Sequence, residues 1–123
     1  MDMKLELVPL PVTDVERSLS FYVKKVGFHL DHDVQPGNGM RVIQLTPPGS
    51  ACSIVFGTGM GNSSTPGSIR NLHLVVNDIS EARKFLDGQG VEVSDIKDMG
   101  GVKYAYFSDP DGNSWALQQI LPR

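Results

Sequence analysis

Residues 7–22, LVPLPVTDVERSLSFY, and residues 71–86, NLHLVVNDISEARKFL, lie over one another with a constant shift of 64. Asp14 falls on Asp78 and Phe21 on Phe85. Downstream the shift becomes 63. Gly27 falls on Gly90, VIQLTPPGSACSI (42–54) on AYFSDPDGNSWAL (105–117), and Gly49 on Gly112. The chain is one unit written twice, too few copies for a solenoid, which needs three or more. Between the copies, GTGMGNSSTPGS (57–68) is rich in Gly, Ser and Pro and reads as a flexible connection.

Each copy carries the same order of elements. Residues 4–12 alternate polar and apolar and read as a strand. Thr13 and Glu16 are spaced as a capping box, in which both side chains satisfy open backbone N–H groups. Val15, Leu19, Tyr22 and Val26 recur at helical spacing, and Gly27 is placed to end the helix. Strands are expected near 28–34, 40–46 and 51–56, with turns at Pro36-Gly37 and Pro47-Pro48-Gly49. The second copy gives a strand at 70–77 and a helix at 78–88 with Ile79, Ala82, Phe85 and Leu86 inward. Its further strands are expected near 91–96, 102–108 and 114–119. The fold class is therefore α+β, two βαβββ units in a single domain over 1–123. The first unit covers 4–56, the connection 57–69 and the second unit 70–120. Pro9 and Pro11 lack N–H groups on the same lateral side, so strand 4–12 is expected at a sheet edge.

The totals narrow the function. A length of 123 residues, 40% hydrophobic content and 20% charged content suit one soluble globular domain. The net charge of −3, with acids and bases scattered, argues against nucleic acid, whose binders present a basic patch. MDMKLELV has no basic region before an apolar run, so no signal peptide is expected. No apolar run approaches membrane-spanning length, and the cytoplasm is the expected compartment. The single cysteine, Cys52, excludes an internal disulfide and a cysteine-rich zinc site, and reads as an inert buried thiol.

The paired βαβββ units, the strand-Asp-helix opening with Phe21-Tyr22 inside the helix, and the closing turn Asp109-Pro110-Asp111-Gly112-Asn113 together resemble the vicinal-oxygen-chelate superfamily. That family includes glyoxalase I, the bleomycin-resistance proteins and the extradiol dioxygenases. The resemblance covers essentially the whole chain. It implies two curved mixed sheets forming an open cup, and a homodimer. In the enzymes it also implies a divalent metal held by residues at the start of the first strand and the middle of the last strand of each unit.

Counted from Asp14, Asp78, Gly49 and Gly112, those four places hold Leu7, Asn71, Ser53 and Ala116. Leu and Ala cannot ligate, and Ser and the Asn amide are weak neutral ligands, whereas a catalytic divalent metal needs His, carboxylate or thiolate. No metal and no cofactor is expected. His73 lies two residues past Asn71 and so on its face in a strand. It is the candidate ligand in a shifted register, or a general acid/base, or a hydrogen-bonding pocket histidine. His29 and His32 are three apart in a strand, which sets them on opposite faces, with Asp31 and Asp33 in water on the His29 side.

Alternation from these places gives the expected lining of the cup: Leu7, Pro9, Ser53, Val55, Asn71, His73, Val75, Ala116 and Gln118. The resemblance adds Tyr104 and Tyr106 as substrate-contacting positions, with Arg41 and Ile43 as their matches in the first unit. A concave, mostly apolar surface with a few polar handles suits a small molecule. Trp115, Leu117, Phe21, Phe85 and Phe107 are expected in the core. The first functional expectation is metal-independent binding of a drug or metabolite, as in the bleomycin-resistance branch. The alternative is an enzyme of the family (lyase, isomerase or dioxygenase) that uses His73. A third is a scaffold with a filled cup and no small ligand.

Overall fold

The computed structural model describes residues 1–61 and 63–120. The first unit contains β1 (Leu7–Pro9), α1 (Val15–Ser20) with a π-helical continuation (Phe21–Val26), β2 (His29–Gly37), β3 (Met40–Thr46) and β4 (Ser53–Thr58). The second contains β5 (Leu72–Val75), α2 (Ile79–Gly88), β6 (Lys97–Met99), β7 (Val102–Ser108) and β8 (Ser114–Ile120). Two separate four-stranded sheets result, ordered β1-β4-β3-β2 and β5-β8-β7-β6. In each, the first strand runs parallel to the last and the other pairs are antiparallel. This is the α+β architecture of two βαβββ units, with neither sheet closed. No helix among the described residues is long and apolar enough to cross a membrane.

Local chemistry explains the elements and corrects several expectations. β1 sits at a sheet edge, where the missing N–H groups of Pro9 and Pro11 break no ladder. The cap of α1 is Asp14, whose side chain accepts from the Arg17 N–H at 3.1 Å. Thr13 is not the cap, because its hydroxyl donates instead to Asp111 at 2.6 Å. Asp78 caps α2 in the same way, accepting from the Glu81 N–H. Gly27 ends the first helix in the left-handed region, φ 88°, which costs a glycine nothing. The β2–β3 turn lies at Asn38-Gly39, one pair beyond Pro36-Gly37. Both residues have positive φ, the primed hairpin turn that Asn-Gly favours. In the second unit residues 91–96 form no regular strand. Val91 and Val93 are buried there, Ser94 bonds Tyr106 in both directions, and the ladder starts later, at Lys97.

One apolar core is shared by the units. The first sheet contributes Ile43, Leu45, Ile54 and Phe56, the second Ala105, Phe107, Trp115 and Leu117, and the helices Val15, Phe21, Tyr22, Ile79 and Leu86. Phe85 does not join it and stands 51% exposed. Tyr22 is packed edge-on to Trp115 and stacked with Phe28. The closing turn of the second unit clasps the first. Asp109 accepts from the Tyr22 hydroxyl at 2.8 Å and from the Asn113 amide at 2.9 Å, and Trp115 Nε1 donates to the Tyr22 oxygen at 2.9 Å. Asp111 accepts from Thr13 and from Arg17 at 3.2 Å. Burial and the neighbouring Asp109 push the Tyr22 pKa far up, so the phenol keeps its proton and remains a donor. The connection is tied to the same turn: Arg70 donates to the carbonyls of Gly67 and Gly112, and buried Gly67 packs on Asp111.

Candidate functional site

Each sheet turns its core residues toward the helices, so its other face lies on the far side from the shared core. In the second sheet that helix-free face gathers chemistry. Tyr104 pairs with Gln118, Tyr106 with Ala116, and His73 with Ala116 from the other side. The two tyrosine rings are parallel, 6.3 Å apart between centroids with an interplanar angle of 9°. The His73 ring meets Tyr104 edge-on at 5.9 Å. Gln118 Nε2 lies 3.5 Å from the Tyr104 hydroxyl. Both tyrosines are half-buried and His73 is exposed. The Asn71 carbonyl lies 2.7 Å from His73 Nδ1. A carbonyl only accepts, so in the neutral ring Nδ1 carries the proton and Nε2 is the acceptor.

Asn71 itself leaves the strand. Its φ is 55°, in the left-handed region that Asn tolerates, and its N–H and amide both engage Ser114. The ladder therefore sets His73, not Asn71, beside Ala116, just as Leu7 stands beside Ser53 in the first unit. The sequence count from Asp78 missed this by two residues.

The helix-free face of the first sheet carries Leu7, Pro9, Ser53 and Val55, as alternation from β1 and β4 requires. Arg41 and Ile43 are not on it. Ile43 is fully buried in the core, and Arg41 reaches across the helix side to Asp33 and to Glu16 of α1. In their place stand Gln44 and Thr46, opposite Val55 and beside Ser53. The cause is turn length. From Thr46 to Gly49 is three residues, whereas from Tyr106 to Gly112 is six. A difference of three reverses which residues face which way. The pattern Ile43, Leu45 against Gln44, Thr46 was the available signal.

The same face holds a polar cluster that sequence reasoning placed otherwise. A bulge at Asp31 brings His29 opposite Thr46 and His32 opposite Gln44, so both histidines share a face. Thr46 donates to Asp31 and Gln44 Nε2 approaches it at 3.3 Å, and the Thr46 hydroxyl holds the Asp31 carboxyl below its ordinary value of 3.8. Since the Thr46 proton points to Asp31, Ser53 donates to Thr46 at 2.6 Å. Asp33 lies on the other face, paired with Arg41. Neither acid is simply solvated. Cys52 is half-buried, its thiol near the Ser53 carbonyl. Trp115, Phe21 and Phe107 are in the core.

The donor set does not fit a divalent metal. Leu7, Ser53 and Ala116 offer one weak oxygen. His73 is the strong ligand on the second face, and on the first face Asp31, with His29 and His32, is already engaged by Thr46 and Gln44. Among the described residues no group of three or more His, Cys, Asp or Glu side chains lies close enough to hold an ion.

The model of the Glyoxalase/Bleomycin resistance protein/Dioxygenase superfamily matches residues 4–117. Among solved structures, TnmS3, an antibiotic binding protein from Streptomyces sp. CB03234, is 36% identical over 97% of both chains, with a TM-score of 0.84. A glyoxalase/bleomycin resistance protein from the same Streptomyces sp. CB03234 is 38% identical over 94% of this chain and 100% of its own, TM-score 0.79. A member of the superfamily from Sphaerobacter thermophilus DSM 20745 is 31% identical over 96% and 98%, TM-score 0.83. No curated protein matches the chain significantly. With its two βαβββ units, its DPDGN clasp and a family match over nearly its whole length, this chain belongs to the glyoxalase/bleomycin resistance protein/dioxygenase superfamily.

Proposed function

We propose that this protein sequesters a small, flat, apolar or aromatic molecule without a metal ion, in the cytoplasm, as a homodimer. The observation that carries the reading is the parallel Tyr104–Tyr106 pair on the open face of the second sheet, edged by His73 and Gln118. Parallel aromatic faces stack on a planar ligand, and the surrounding handles orient it. The likeness to an antibiotic binding protein at 36% identity supports the same class of role. The expected lining is Leu7, Pro9, Ser53 and Val55 from the first sheet and His73, Tyr104, Tyr106, Ala116 and Gln118 from the second. Gln44 and Thr46 replace Arg41 and Ile43, and Asn71 stands at the rim. A second copy supports closure of the cup, because the helix-free face of each sheet is the one turned away from the core that joins the units. Both faces also leave apolar side chains uncovered: Val34 on the first, and Val75, Met99 and Ile120 on the second.

The test is calorimetric titration with 2-naphthol in EDTA, followed by recovery of the probe for mass spectrometry. Saturable binding with the probe recovered unchanged is expected. Binding that appears only when Zn, Ni, Mn or Fe(II) is added would contradict the metal-free reading. One observation favours a second reading, an enzyme with His73 as general acid/base: His73 is exposed, and its Nδ1 contact with the Asn71 carbonyl leaves Nε2 as the acceptor of the neutral ring. Chelator-insensitive turnover of an enolisable substrate, lost in His73→Ala, would establish it.

A further inference from the structure

A cleft of about 520 Å³ lies where α2 passes the turn 47–50, walled by Phe28, Pro47, Val75, Ala82, Phe85 and Leu86, with His73 at its rim. The internal repeat shows why it is open. In the other half of the molecule the equivalent space is filled: the turn 109–113 reaches α1, Asp109 holds Tyr22, and Asp111 holds Thr13 and Arg17. With the shift of 64, Tyr22 corresponds to Leu86, Phe21 to Phe85 and Ser18 to Ala82. The turn facing α2 is three residues shorter on its approach to glycine and carries Pro47-Pro48 instead of two aspartates. It neither reaches the helix nor bonds to it. Phe21 is 8% exposed in the filled half, whereas Phe85 stands half out of the surface beside the gap.

His73 belongs to both places. Its ring edges onto Tyr104 on the open face and also borders the cleft, so the aromatic platform and the cleft meet at the β5 edge. We propose that this cleft takes an apolar substituent of the same ligand whose planar part rests on Tyr104 and Tyr106. The ligand class becomes narrower: a flat ring system bearing a hydrophobic arm of about aryl size. The walls are mostly apolar and the volume lies within the range of small-molecule sites. The proposal rests on the reading of the aromatic face as a ligand platform.

The experiment compares 2-naphthol with 6-phenyl-2-naphthol, titrated into wild type, Ala82→Phe and Tyr104→Ala. Wild type is expected to bind the phenyl compound roughly tenfold more tightly, the scale of burying one aryl group. Ala82→Phe fills the cleft from a helical position that accepts Phe, and is expected to abolish that difference while leaving 2-naphthol unchanged. Ala82→Leu serves as a second variant should Ala82→Phe lose its cooperative unfolding transition. Tyr104→Ala is expected to weaken both probes together. If wild type binds both probes equally, or the tenfold gain survives both Ala82 variants, the cleft does not hold the arm. If the gain appears only after Met3→Asp and Leu5→Asp, the exposed N-terminal side chains of a second copy occupy the cleft, which also overturns the proposal. If neither probe binds, or Tyr104→Ala changes nothing, the platform reading itself fails and the arm proposal falls with it.

Discussion

Tyr22 shows how one residue can hold two units together. Its hydroxyl donates to Asp109 and accepts from Trp115 in a fully buried place, so replacing it leaves the Trp115 Nε1–H without its acceptor and takes one donor from Asp109, which keeps that of Asn113. Tyr22→Phe is expected to cost about 1–3 kcal/mol in urea unfolding, the usual penalty for buried groups left unpaired. The same contact sets an alkaline limit. In the unfolded chain Tyr22 ionises near its ordinary 10.0, whereas burial and Asp109 raise its pKa in the folded protein. The folded state therefore holds the proton longer. The stabilisation is complete below pH 10 and declines as pH rises above it. Tyr22→Phe should lose that decline, measured as the midpoint of urea unfolding between pH 9 and pH 11. On the open face the expected changes are in binding rather than stability. Tyr104 is half-buried, and Tyr104→Ala should weaken a planar probe roughly tenfold with little change in Tm, since it removes a stacking surface and no core contact.

At the scale of elements, the turns decide the outcome. The six residues from Tyr106 to Gly112 reach α1 and seal the joint, while the three from Thr46 to Gly49 leave a cleft. Asp111→Ala would release Thr13 and Arg17 together, and a loss of about 1–3 kcal/mol is expected in the same unfolding assay. Gly67→Ala should be at least as harmful. Its φ is 81°, and an added Cβ would stand 2.2 Å from the Asp111 carbonyl oxygen. The repeat, both helices and β7 were legible in the sequence because their periodicity is strong and Gly27 and Asp78 mark boundaries. The facing of β3 was not. Matching glycine to glycine carried the second unit's frame across a turn of different length, and the three-residue difference put Arg41 and Ile43 on the wrong face. The bulge at Asp31 misled in the same way, since it cancels the alternation that separates His29 from His32. Asn38-Gly39 was a legible hairpin signal that the neighbouring Pro36-Gly37 obscured. Phe85 sits at a helical spacing that normally points inward, and it is exposed because the partner turn falls short of it.

At the scale of the molecule, the shared core fixes what a single chain can do. It joins the helix sides of both sheets and leaves each sheet a helix-free face, one aromatic with His73, the other lined by Gln44, Thr46 and Ser53 over Asp31. A second copy that lays the first kind of face over the second gives a two-walled cup, and a dimer mass in sedimentation equilibrium is the expected state, with monomer only as the contrary result. A ligand is expected to lie on the aromatic face, held by Tyr104 and Tyr106. The measurement that tests it most directly is a two-dimensional NMR titration of the isotope-labelled protein with 2-naphthol in EDTA, with side-chain resonances assigned. The expected result is saturable shifts centred on His73, Tyr104, Tyr106, Ala116 and Gln118, with NOEs from the naphthol protons to the two tyrosine rings. Shifts confined to the helix side, or binding that leaves those five residues unmoved, would contradict it.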